Sequence, residues 1–245
     1  MDPFVAYLFA YRGKMPLPLS KMQCGSDFQP RIICFYTIMI LEIPTAGIIL
    51  AAGESTRFGR PKQLLRLNDR CLIEWVLAAA LHSKLSRIVL VLGYAHQEIL
   101  QTIGEKWQHA KLSIEINPEF KKGQSHSLRT GLSKVKDDFP AVMFLLGDQP
   151  MLGAATINIL LERFWTDEKD ICVPIYRGKR KTPAIFGRLF YTRLMDIKGD
   201  TGARQLIDDN PDRVLAVEVD NPICFFDIDT QQDFENLKNM LEQSK

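Results

Sequence analysis

No two of the five cysteines, Cys24, Cys34, Cys71, Cys172 and Cys224, stand in a CxxC pair, and their number is odd. That argues against a disulfide framework and against a structural zinc site, and it fits reduced thiols in a cytoplasmic protein. Long apolar runs are missing as well. The longest covers residues 32–41, well short of the roughly 20 residues that cross a bilayer. Asp2 stands where a signal peptide would carry positive charge. Neither sign of charge dominates: the formal net charge is +2, too small for a general nucleic-acid binder. Internal repeats and low-complexity tracts are also lacking. The chain is thus expected to have no membrane and no nucleic-acid partner, and any anion site must be local.

What is present is ample material for one core: 245 residues, 46% of them hydrophobic. Residues 1–43 differ from the rest, with Pro16, Pro18 and Pro30 and no clear apolar period. They read as an N-terminal extension, either sequence upstream of a start at Met39 or an arm that packs on the core or on a second subunit. Residues 44–245 read as a single domain. From Gly47 the chain alternates short apolar runs with helical patterns. Strands are expected at residues 47–52, 87–93, 112–117, 141–146, 171–175, 214–219 and 225–228. Helices are expected at 72–81, 95–103, 125–135 with a serine cap, 154–165 and 232–243. Strands separated by helices imply right-handed βαβ units and a mainly parallel sheet, an α/β three-layer sandwich of Rossmann-like type.

The segment after the first strand carries the most chemistry: Leu50, Ala51, Ala52, Gly53, Glu54, Ser55, Thr56, Arg57, Phe58, Gly59, Arg60, Pro61 and Lys62. It starts at the carboxyl end of a buried strand, where ligands bind in open α/β sheets. Gly53 and Gly59 allow backbone N–H groups to approach an anion without an intervening Cβ. Arg57, Arg60 and Lys62 add mobile positive charge, and a polyphosphate needs that combination. The spacing matches neither a Walker A loop, which needs lysine where Arg60 stands, nor GxGxxG, which needs glycine at Ser55.

Asp148 follows an apolar strand in Gly147-Asp148-Gln149-Pro150, so its carboxylate should meet the same sheet edge. Nucleotidyl transfer needs a hard cation, and Mg²⁺ prefers one or two carboxylates. Asp227 and Asp229, two apart in an expected strand, should share one face and offer a second ligand, with Asp229 preferred. One of the two is also expected to cap the last helix. Gly123, Gln124, Ser125 and Ser127 open a helix whose first N–H groups suit a base carbonyl or a phosphate. His126 reads as a surface or packing residue. Gly199, Asp200, Gly202 and Arg204 form a glycine turn followed by an arginine, able to hold an acceptor phosphate. The stretch from Arg177 to Lys181 reads equally as part of the acceptor half or as a solvated basic hairpin.

The spacing of Leu-Ala-Ala-Gly, Phe58-Gly59 and Lys62 resembles the nucleotidyltransferases of GT-A-like fold, and within them the MobA-like branch, most of all the molybdenum cofactor cytidylyltransferases. The resemblance covers about residues 46–240. It implies that the loop wraps a nucleoside triphosphate and that Arg57 and Lys62 stabilise charge on its α-phosphate. It implies further that Gly123, Gln124, Ser125 and Ser127 lie against the nucleotide and that Asp148 with a late aspartate binds Mg²⁺. Ala52 and Phe58 depart from the LAGG and RMG of the guanylyltransferase branch and favour CTP. The acceptor implied is molybdopterin, with a molybdenum hydroxylase as the partner for delivery. Other acceptors, a sugar phosphate or a methylerythritol phosphate, and a non-catalytic cofactor carrier are the competing readings. Two departures bear on this: Gln231-Gln232-Asp233 replaces a PED stretch, and the family's glycine before Pro183 is absent.

Overall fold

The apolar run after Pro44 forms strand β1 (Thr45–Ala51) in the computed structural model, which describes residues 44–104, 107–200 and 202–243. The expected extension at 1–43 lies outside the described residues. Two short strands follow, β2 (Arg66–Leu67) and β3 (Arg70–Cys71), paired with each other. Next come α1 (Leu72–Leu81), β4 (Arg87–Leu92), α2 (His96–Ile103), β5 (Leu112–Ile116), α3 (Gln124–Ser133) and β6 (Ala141–Leu146). After α4 (Ala154–Thr166) stand β7 (Ile171–Tyr176), β8 (Lys179–Arg180) and β9 (Ala184–Gly187). The helices α5 (Tyr191–Asp196) and α6 (Arg204–Asp208), strand β10 (Val214–Glu218) and helix α7 (Gln231–Glu242) complete the order.

The main sheet runs β10-β7-β9-β6-β1-β4-β5, with β8 attached to β7. Strands β6, β1, β4 and β5 pair in parallel, as do β10 and β7. Strand β9 enters between β6 and β7 and is antiparallel to both. The parallel strands therefore all end at one edge, which collects the loops after β1, β4, β5, β6 and β7. That edge is where an open α/β sheet places its ligands.

Strand β1 is apolar on both sides because both sides are covered. Its Ile49 and Ala51 pack under α1, α2 and α4, beside Ile73, Leu77, Ile99 and Leu160. Its Ala46 and Ile48 pack under α3, α5 and α6, beside Leu128, Leu132, Leu194 and Ile207. A third cluster of Leu65, Leu67, Leu72, Ile228, Phe234 and Leu237 seats the closing helix α7. No described helix is long and apolar enough to cross a membrane.

The architecture agrees with the α/β three-layer sandwich, with three local corrections. First, residues 225–228 are not a strand: a 3₁₀ turn at Pro222–Phe225 leads into extended chain without a ladder partner. Second, α3 begins one residue before Ser125, and Gly123 stands at its cap position, so Ser125 is not the cap. Third, β9 is a strand that the apolar pattern did not mark, because only four residues follow Pro183 before the chain turns at Arg188. The basic stretch from Arg177 is a hairpin between β7 and β8. Arg177 (φ 49°) and Gly178 (φ 72°) both take the left-handed conformation at its tip, as a tight hairpin turn requires.

Candidate functional site

A cavity of about 600 Å³ opens at the carboxyl edge of β1 and β6. Its floor is the end of β1 from Leu50 through Ala51 and Ala52, continued by Gly53, Glu54, Ser55 and Arg57. The loop is folded by local means. Ser55 and Gly59 are left-handed at φ 53° and 64°, and between them Thr56–Phe58 make one 3₁₀ turn. Buried Gln63 staples the loop from beneath: its amide donates to the carbonyls of Ala51 at 3.1 Å and Gly53 at 3.5 Å. Ser55 Oγ accepts from the Lys62 backbone N–H at 3.2 Å, closing the loop on itself.

Two loop residues expected at the nucleotide do not line the cavity. Phe58 packs, partly buried, against the third core cluster, and Gly59 serves the turn. Arg60 is exposed and also stands outside the cavity lining. Arg57 and Lys62 are the two loop cations that reach the cavity.

One end of the cavity is a charge cluster assembled from three distant parts of the chain. Lys62 Nζ donates to Asp148 Oδ2 at 2.7 Å and to Asp229 Oδ1 at 3.0 Å. Burial pulls the Lys62 ammonium down, but the charge and hydrogen bond of Asp148, joined by Asp229, outweigh it, and its pKa lies above that of an ordinary lysine. Lys62 therefore keeps its proton at neutral pH. Asp227 and Asp229 separate instead of sharing a face, because no ladder holds that segment to a pleat. Asp227 turns away from the cavity and accepts from Gln149 Nε2 at 2.8 Å. Burial, with the charge of Asp148 next, raises the Asp227 carboxyl above its usual range, against the opposing hydrogen bond from Gln149. Neither aspartate caps α7. Thr230 does so, and Asp233 completes the capping box, accepting from the backbone N–H groups of Thr230 at 2.8 Å and Asp229 at 3.2 Å. Asp233 thus fixes the backbone that presents Asp229.

The part of the lining at the start of α3 is built by backbone. Gly123 takes φ 103°, and a Cβ there would lie 2.7 Å from both the Gly199 carbonyl carbon and Asp200 Oδ1. That close approach lets residues 199–200 dock on the first turn of α3. The Gln124 N–H donates to Asp200 Oδ1 at 3.0 Å, and the Ser125 N–H donates to the Gly199 carbonyl at 3.1 Å. These two N–H groups, expected to meet the nucleotide, are thus already engaged within the protein. Gly123, Gln124, Ser127 and Asp200 line the cavity. Ser125 does not: its Oγ is fully buried and has no hydrogen-bond partner. Within the expected acceptor set, Gly199 and Gly202 support the cavity from behind, since a Cβ at Gly202 would meet Gln124 Oε1 at 2.6 Å. Arg204 is exposed at the start of α6 and does not reach the cavity.

The donor set at the charged end suits a hard cation. Asp148 Oδ1 is buried without a hydrogen-bond partner, an acceptor left over beside the oxygen that Lys62 takes. Asp229 lies half-exposed across from it. Among the described residues no third His, Cys, Asp or Glu joins to make a complete cage. Such a two-carboxylate site matches Mg²⁺, which is usually held by one or two carboxylates plus substrate phosphates and water. Gln63 and Asp233 are the supporting residues that the sequence reading missed. For Asp233 a signal existed, the Thr-x-x-Asp spacing ahead of an apolar helix. For Gln63 none did.

Comparison with known proteins places this geometry in a family. The purine catabolism protein PucB of Bacillus subtilis (strain 168) is 28% identical over 202 residues, covering 80% of this chain and 96% of PucB. A solved homologue of Mycobacterium tuberculosis rv0371c, from Mycobacterium sp. strain JC1, superposes with a TM-score of 0.72 at 28% identity, covering 82% of this chain and 98% of the other. Rv0371c of Mycobacterium tuberculosis H37Rv, solved in complex with manganese, gives a TM-score of 0.67 at 26% identity, covering 80% and 98%. The sequence profile of the MobA-like NTP transferase domain matches residues 47–214, well over half of the chain, and the protein belongs to that family of nucleotidyltransferases.

Proposed function

We propose that this chain transfers the cytidylyl group of CTP to a terminal phosphate of molybdopterin and releases pyrophosphate. The observation that carries the reading is the meeting, in one cavity, of a glycine-rich loop with the Asp148–Lys62–Asp229 cluster. A phosphate oxygen of the acceptor attacks the α-phosphorus of CTP. The new P–O bond forms as the bond from the α-phosphorus to the bridging oxygen breaks, and the electron pair leaves with pyrophosphate. The attacking oxygen is already anionic, so no general base is needed. Catalysis is then positioning and charge stabilisation.

Lys62 stays protonated and offers its charge to the α-phosphate, while Arg57 offers its guanidinium from the exposed side of the loop. Asp148 and Asp229 would hold a divalent cation, Mg²⁺, which when bound shields the negative charge of the phosphate oxygens. The manganese complex of Rv0371c supports a divalent cation in this fold. Gly53 supports a ligand that comes close: a Cβ there would meet no protein atom within 4 Å, so packing does not demand glycine. Ala52, which lines the cavity where the guanylyltransferase pattern has glycine, supports CTP. The hairpin after β7 stands at the edge that also holds Asp148, with Gln149 Nε2 donating to Thr182 Oγ1 at 2.6 Å, and this is the side we assign to the acceptor.

The test is pyrophosphate release by the purified full chain with Mg²⁺ and CTP, GTP, UTP or ATP, each with and without molybdopterin. The expected outcome is release with CTP that needs both molybdopterin and the cation, and that chelation abolishes. Release from CTP in the presence of a sugar phosphate or methylerythritol phosphate but not of molybdopterin would replace the acceptor. No release with any triphosphate would sink the transfer reading.

A further inference from the structure

Asp200 is a carboxylate on the wall of a cavity read here as a triphosphate site, and that position calls for an explanation. Other carboxylates of the lining have cations beside them. Asp148 and Asp229 hold Lys62, and Glu54 lies 3.7 Å from Lys121. Among the described residues Asp200 has no ion-pair partner, and one of its oxygens accepts a backbone N–H from Gln124. It is docked on the first turn of α3, the helix that follows β5, whereas Asp148 follows β6 on the other side of β1.

A negative charge repels phosphate, so the surroundings of Asp200 disfavour the triphosphate. Lys121 also lines the cavity but lies 3.7 Å from Glu54, so the unbalanced charges are Arg57 at the loop and Asp200, and they orient a nucleotide with phosphates toward the loop and nucleoside toward Asp200. A carboxylate accepts hydrogen bonds and donates none. One oxygen is taken by Gln124, which leaves Oδ2 as an acceptor for a donor on the base. Cytosine presents its 4-amino group, whereas uracil presents a carbonyl oxygen at the same place, lone pair against lone pair.

We infer that Asp200 is a nucleobase-selecting residue, reading the exocyclic amino group and so favouring CTP over UTP. The inference rests on the cytidylyl-transfer reading above and moves Asp200 from the acceptor to the nucleotide. It also gives the docking of residues 199–200 on α3 a purpose, since the two hydrogen bonds set the carboxylate at a fixed place.

The experiment is calorimetric binding of CTP, UTP and a CTP analogue lacking the 4-amino group to the full chain with Mg²⁺, in wild type and in Asp200→Asn. The variant keeps an oxygen for the Gln124 N–H and turns the cavity-facing acceptor into an amide donor. Wild type should prefer CTP over UTP by about tenfold or more, the size of a charge-assisted hydrogen bond at a partly solvated site, and should bind the analogue more weakly by a similar factor. In Asp200→Asn the preference should vanish or invert. The analogue tests the claim in wild type even if the variant folds poorly. Equal binding of CTP and the analogue by wild type, or the same CTP-to-UTP ratio in a folded variant, would overturn the role of Asp200 while leaving cytidylyl transfer standing. Failure of wild type to bind any triphosphate would instead overturn the reading beneath it.

Discussion

Two parts of the cavity lining are held by opposite means. In one, side chains from the loop after β1, the end of β6 and the approach to α7 meet through ions: Lys62 with Asp148 and Asp229. In the other, backbone meets backbone and one carboxylate: residues 199–200 on the first turn of α3. Ionic partners can be exchanged, because a phosphate or a divalent cation satisfies the same charges. Backbone hydrogen bonds around a glycine cannot be exchanged without moving the chain. The charged end is therefore suited to chemistry and the backbone part to shape. Removing a charge at the first should cost turnover, and crowding a glycine at the second should cost stability.

The largest test of that contrast is Lys62→Ala, for which kcat for pyrophosphate release should fall by about 10² to 10³, the usual worth of one electrostatic group in a transition state. A rate near wild type would break the contrast at its charged end. Next is Gly123→Ala. Its φ of 103° and the contact with residues 199–200 should lower folding stability by about 1–3 kcal/mol, read by urea denaturation. An unchanged midpoint would show that the backbone part tolerates movement. The smallest is Thr230→Ala, which removes the cap of α7 and should lose about 1 kcal/mol, with a smaller effect on turnover through Asp229. The hydrogen bond from Thr230 also holds the Asp233 carboxyl below its usual range. A depressed folded pKa means that this contribution is complete above the usual carboxylate range and is lost as pH falls through the lowered value. The stability gap between wild type and Thr230→Ala should thus narrow in acid and not in base.

Legibility in the sequence followed the same divide. Helix α1 at Leu72–Leu81 and strand β6 at Ala141–Leu146 match the expected limits, because continuous apolar runs and helical spacing are local signals. That the glycine loop, Lys62, Asp148 and Asp229 would come together was also legible, since each lies on a loop leaving the same sheet edge or returning to it. What was not legible depended on partners far away. The joint between Gln124 and Asp200 spans 76 residues, and no local pattern shows that the helix start is already engaged. The separation of Asp227 from Asp229 followed from the lack of a neighbouring strand, which alternation alone cannot reveal. Phe58, read as part of the binding loop, obeyed the stronger rule that an aromatic ring seeks the nearest apolar cluster.

The bond between Lys62 and Asp229 joins residues 167 positions apart. During synthesis at roughly 5–20 residues per second, the loop leaves the ribosome about 8–33 seconds before its second carboxylate exists. Until Asp148 is made, 86 residues on, the cationic, glycine-rich loop lacks both carboxylate partners, and from then until Asp229 is made it lacks one. The β1, β4, β5 and β6 portion of the sheet can form in the meantime, but the site can be completed only when the last fifty or so residues arrive. Chains interrupted in that window would hold the loop without the balance of charge that tunes Lys62, a reason for such fragments to bind polyanions without acting on them.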